Sequence, residues 1–169
     1  MIASDRGTNP KHREIISNWH RRGRSTSSFF LGLTGKANVR LSDAFAPAGA
    51  VKDPSTPFLL SAFNSAQGAA TYQGRTRLAS AGQLSKRDVA GPYVIGVQGN
   101  YGTEYWNGDI AELILFTRAL SDTEREAVWS YLANRYQLKL GTRPDDPQHL
   151  ALASLCHVLM NTNEFLYID

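Results

Sequence analysis

Over its first 119 residues the chain alternates short runs rich in β-branched and aromatic residues with clusters of Gly, Ser, Asn and Pro. The spacing, roughly 8–12 residues, is that of an antiparallel sandwich or barrel. Glu14–Trp19, Ser28–Thr34 and Asn38–Ser42 predict strands, the last two joined by a turn at Gly35-Lys36. A Pro-bounded loop is expected over 46–57. Phe58–Asn64 and Ala70–Leu78 then flank Ser65-Ala66-Gln67-Gly68, a hairpin loop, with a bulge at Gly74 inside the second run. A further hairpin is expected from Tyr93–Val97, the loop Gly99–Gly102 and a long strand from Asn107 to Thr117.

At Leu120 the period changes. Ser121-Asp122-Thr123-Glu124 is a capping box, in which hydroxyl and carboxylate each take a backbone N–H of the other residue. It predicts a helix running to about Leu138–Gly141. Ala127, Val128, Tyr131, Leu132 and Arg135 should lie on or beside its inward stripe, with Glu124, Arg125 and Asn134 outward. Residues 141–147 read as a turn-rich linker, and Asp146-Pro147 as the start of a second helix that reaches about Met160. That tail helix is apolar around most of its circumference, so it must bury itself against something.

Charge is unevenly spread. Residues 1–40 hold 8 Lys/Arg against 2 acids, residues 41–140 hold 9 against 9, and residues 141–169 hold 1 against 4. The basic character is concentrated at His20-Arg21-Arg22-Gly23-Arg24. No run approaches the roughly 18 apolar residues a membrane span needs. The single cysteine, Cys156, excludes an intrachain disulfide framework or a thiolate cluster. The N-terminus, MIASDRGTNPKHREI, lacks the apolar centre of a signal peptide.

The segment Trp106-Asn107-Gly108-Asp109-Ile110-Ala111-Glu112-Leu113-Ile114-Leu115-Phe116, then Arg118-Ala119-Leu120-Ser121-Asp122 and the capped helix, resembles the end of a laminin-G-like, concanavalin A-type lectin-glucanase domain. The resemblance implies a mainly β fold: an antiparallel jelly-roll β-sandwich over residues 1–140, ending in the capped helix. In that family a first strand of the form apolar-Thr-apolar-Glu-apolar-Trp pairs near the last one. That strand is missing from this sequence, so the last strand is expected to be unpaired and prone to edge-strand dimerisation. The tail, Asp146-Pro147 followed by Leu152–Tyr167, resembles the closing segment of planctomycete-type surface proteins that combine a cytochrome c-like domain with a laminin-G-like insert. This implies that residues 141–169 are a linker and apolar helix of a neighbouring domain. It also implies that the whole belongs to a larger bacterial cell-surface protein, extracellular or in the cell envelope. The haem-attachment signature of those proteins is absent, because Cys156 stands alone.

Several constellations carry candidate chemistry. Asn100, Tyr101, Tyr105, Trp106 and Asn107 offer aromatic faces and amides of the kind that bind sugars, although adjacent Tyr105 and Trp106 cannot both face outward from a strand. Arg21, Arg22 and Arg24, after Trp19, could grip sulfate or phosphate groups through bidentate guanidinium contacts. Nucleic acid is disfavoured, because aromatic and basic residues do not interleave on one strand. Some laminin-G-like domains use Ca²⁺, and Asp43, Asp53 and Asp88 are the loop acids available to it here, without any contiguous calcium motif. His149, Cys156 and His157 are spaced too widely for a helical zinc site. Catalysis is not expected: Asp109 and Glu112 have the wrong parity to share a strand face, and no Glu-x-Asp-x-x-Glu string occurs.

The expected function is therefore a non-catalytic recognition module for carbohydrate or glycoprotein, working through loops at the sandwich rim. The alternative is a structural or interaction domain with no small ligand, docked to a neighbouring domain.

Overall fold

The structure, a computed structural model, describes residues 1–8, 11–19, 28–42, 44–98 and 103–141. Among these, ten strands precede one helix. The strands are β1 (Ile2–Ala3), β2 (His12–Ser17), β3 (Phe30–Thr34), β4 (Asn38–Leu41), β5 (Ala44–Ala50), β6 (Phe58–Ser65), β7 (Gly68–Gln73), β8 (Thr76–Ala81), β9 (Val94–Ile95) and β10 (Ile110–Glu112), and the helix is α1 (Asp122–Tyr136). They form two five-stranded sheets, ordered β10-β1-β6-β7-β8 and β5-β4-β3-β2-β9, with antiparallel pairing throughout. The protein is thus mainly β, as the alternation predicts.

The strand period places the core. On β3, Leu31 and Leu33 face the first sheet while Phe30 and Gly32 face away, and on β4 Val39 and Leu41 turn inward while Arg40 turns outward. Ile15 from β2 joins these residues, and they meet Ala3, Phe58 and Leu60 of the first sheet in one buried cluster. A second cluster lies on the far side of the first sheet, where Ile2 and Leu59 pack against Trp129 and Leu132 of α1. The helix therefore covers the outer face of that sheet.

The capping box forms as predicted, with Ser121 and Glu124 exchanging side-chain and backbone hydrogen bonds, and Gln137 closes the helix in the left-handed conformation. The helix has the expected period but a different phase. Trp129, Leu132 and Ala133 are its buried residues, whereas Tyr131 is exposed. Trp129 sets this rotation, because its ring packs 5.3 Å from Tyr72 and its Nε1 donates to Ser61 Oγ at 3.1 Å. Arg125, expected outward, lies 4.5 Å over the Phe63 ring.

Four sequence expectations are corrected. The loop placed over 46–57 begins with β5, which carries Pro47 through a strand; β5 is the edge of its sheet, where a missing N–H costs no ladder bond. Gly74 is not a bulge: with φ of +56° it turns the chain between β7 and β8, where Gln73 pairs with Thr76. The segments around Tyr93 and Asn107 are not one hairpin, since β9 pairs with β2 and β10 with β1, in different sheets. The long last strand shrinks to Ile110–Glu112, which pairs with Ile2 and Ala3 of β1.

The last strand is also not unpaired. Ile2 pairs with Glu112 and Ala3 with Ile110 on one side, and the same two residues pair with Leu59 and Phe58 on the other. So short a strand needs additional ties. Met1 and Leu60 exchange backbone hydrogen bonds at 2.9 and 3.0 Å, Ser4 and Asp109 do so at 2.9 and 3.1 Å, and Arg6 N donates to Asn107 O at 2.7 Å. Gly108 makes the approach possible, because any Cβ there would overlap the Ser4 carbonyl. The tail helix and the linker, with Cys156, His149 and His157, lie outside the described residues.

Gly108→Ala is expected to destabilise the fold by about 3 kcal/mol, since the clash is with backbone that cannot move aside cheaply. Urea unfolding of the two proteins measures it.

Candidate functional site

The site begins with a glycine. Glu14 on β2 pairs with Gly32 on β3, which pairs with Arg40 on β4, so three neighbouring strands place a carboxylate, no side chain and a guanidinium in one row. A Cβ at Gly32 would collide with the Arg13 carbonyl and the Glu14 carboxylate. The absence of a side chain there lets Glu14 and Arg40 meet across the middle strand, and Arg40 Nη1 donates to Glu14 Oε1. The same nitrogen donates to Glu104 Oε2 at 3.1 Å, and His12 Nδ1 lies 3.3 Å from Glu104 Oε1. Arg40 also lies 4.5 Å over the Phe30 ring, which stacks on Trp19 at 5.7 Å.

Burial grades across this network on the outer face of the second sheet. The Glu14 side chain is 0 % exposed, Arg40 9 %, Glu104 12 % and His12 33 %. Tyr105 follows Glu104 and forms a parallel bridge with Glu14; at 56 % exposure it is the open end of the row. Burial, opposed by Arg40 and reinforced by repulsion from Glu104, pushes the Glu14 carboxyl up to about 7.

The residues singled out in the sequence divide. Trp106 packs into the core and Tyr105 faces out, so the expected opposition between the two is present. Asn107 is exposed, and its carbonyl accepts from Arg6 N. Asn100, Tyr101, Arg21, Arg22, Arg24 and Asp43 lie outside the described residues. Asp53 builds a turn: its φ is +49° and its carbonyl accepts from Thr56 N at 3.1 Å and Thr56 Oγ1 at 2.9 Å. Asp88 likewise serves its own loop, accepting from Ala90 N at 2.9 Å through Oδ1. Among the described residues no group of three His, Cys, Asp or Glu side chains is placed to hold a metal ion. Asp109 and Glu112 are both engaged elsewhere, Asp109 with Arg6 and Ser4, and Glu112 with Arg135 and Tyr136. The Arg6 hydrogen bond holds Asp109 below the usual carboxylate range.

The Glu14–Arg40–Glu104–His12 network was missed in the sequence. A period-2 signal existed, since Glu14, Gly32 and Arg40 each sit beside core positions of their strands, but only the register shows that they share a row. No family model, curated protein or solved structure matches the chain.

Glu14 makes stability depend on pH in a definite direction. Its carboxyl is raised in the fold, so the folded state holds a proton that the unfolded chain loses above about 4.5. Stability should fall as pH rises from about 4.5 to about 7, by an amount on the order of 3 kcal/mol, and level off above. Glu14→Gln keeps the bond to Arg40 and should remove this fall. Denaturant unfolding of both proteins between pH 4.5 and 8 tests it.

Proposed function

We propose that this chain is a non-catalytic recognition module for carbohydrate or glycoprotein, built on a jelly-roll sandwich of the laminin-G-like, concanavalin A type. The fold reading is supported by two antiparallel five-stranded sheets that share a core, and by the run from Asn107 through the capping box into α1. Its setting in this reading is the outer side of a bacterial cell, as part of a larger surface protein.

One observation carries the functional reading: exposed Tyr105 adjoins Glu104, whose carboxylate is already fixed by Arg40 and His12. A pyranose ring stacks on the phenol face while its hydroxyls donate to a carboxylate that has no rotamer freedom left to lose. Asn107 is exposed two residues further on and supplies an amide. Catalysis does not fit the same geometry. The carboxyl pushed toward neutrality, Glu14, is fully buried, and one guanidinium occupies both it and Glu104, so neither is free to protonate a glycosidic oxygen.

Affinity electrophoresis of the chain in gels containing neutral, acidic and sulfated polysaccharides should show retardation by one class. Tyr105→Ala should weaken that retardation about tenfold in affinity, the scale of one aromatic stacking contact. Equal mobility in every gel refutes the sugar reading and leaves the structural and interaction role.

A further inference from the structure

Asn107 and Gly108 form the single Asn-Gly step in the sequence. The step lies between the bridge at Tyr105 and the start of β10 at Ile110, outside regular structure. Asn107 is exposed, and among the described residues neither its side-chain amide nor the Gly108 N–H makes a hydrogen bond. The backbone on either side is tied. Asn107 O accepts from Arg6 N at 2.7 Å, Asp109 O accepts from Ser4 N at 2.9 Å, and Asp109 N donates to Ser4 O at 3.1 Å.

This arrangement offers one nucleophile to one electrophile. A free backbone N–H that gives its proton to hydroxide can attack the carboxamide carbon of the asparagine before it, and glycine has no side chain to block the approach. Other asparagines lack the combination. Asn64 is locked to Leu84, with Nδ2 donating to Leu84 O at 3.0 Å and Oδ1 accepting from Leu84 N at 2.9 Å. Asn38 lies in β4 and precedes Val39, whose branched Cβ crowds the nucleophile.

We propose that Asn107-Gly108 is a site of spontaneous covalent modification, at which the folded chain deamidates. Gly108 N bonds to Asn107 Cγ, and the side-chain nitrogen leaves as ammonia, closing a succinimide ring. Water then opens the ring. Breaking the bond from Gly108 N to Cγ leaves aspartate, and breaking the bond to the Asn107 backbone carbonyl carbon leaves isoaspartate, whose main chain runs through Cβ and Cγ. In both, an amide and a water become a carboxylate and ammonium, and nothing is oxidised or reduced. The fold tells the two products apart. Aspartate keeps the ties to Ser4 and Arg6, whereas the longer isoaspartate main chain displaces Gly108, which packs so closely on Ser4 that even a Cβ would overlap its carbonyl. The junction of β1 and β10 therefore loosens. The proposal stands whether or not the Tyr105 row binds sugar.

The test holds the full chain in native buffer at neutral and mildly alkaline pH, digests samples at intervals and reads them by mass spectrometry with electron-transfer fragmentation, which distinguishes aspartate from isoaspartate. Asn107 should gain the mass difference between an amide and an acid before Asn38 or Asn64 does, and faster at the higher pH. The isoaspartate form, purified by ion exchange, should exchange the Ser4 and Arg6 amide hydrogens faster than the Asn107→Asp variant, which carries the same charge on an unaltered main chain. Two results would each overturn the site: Asn107 intact in the native chain while the same chain in urea loses its amide, or Asn38 or Asn64 reacting first. Equal exchange in the isoaspartate form and Asn107→Asp would overturn its effect on the junction.

Discussion

A charge pair ties the two sheets together. Arg13 on β2 meets Asp5, just beyond β1, through Nε at 2.8 Å and Nη2 at 2.7 Å, with the two side chains 3 % and 1 % exposed. A bidentate contact of this kind fixes orientation as well as distance, and losing one partner leaves an uncompensated buried charge at a cost of about 3–5 kcal/mol. Its position matters more than its energy. Asp5 follows the two residues that zip β6 to β10, and Arg13 precedes Glu14, so one ion pair couples the closure of the first sheet to the placement of the polar row on the second.

That row obeys the same electrostatics with less symmetry. Arg40 offers a single positive charge to two carboxylates, and the deeper of them has no access to water. Burial away from water is the chief reason the Glu14 carboxyl is pushed up to about 7, with Arg40 opposing it and Glu104 adding to it, while the Glu104 side chain lies nearer solvent. The gradient of exposure from Glu14 to Tyr105 is what makes the row usable at its edge: the buried end anchors, and the exposed end is rigid without being sealed.

Local chemistry was legible in the sequence, and long-range register was not. The capping box at Ser121 and Glu124, the turn at Gly35-Lys36 and the hairpin loop at 65–68 depend on residues a few positions apart, and they fold as read. The phase of α1 failed because Trp129 answers to Tyr72 and Ser61, more than fifty residues upstream. β1 failed for a similar reason: a two-residue strand has no period of its own, and it exists because β6 and β10 hold it from both sides. The polar row was invisible because a glutamate, a glycine and an arginine on three strands mean nothing until pairing aligns them. That only one of Tyr105 and Trp106 faces out was readable, since adjacent residues on an extended chain must part, and the fold gives the outward place to Tyr105.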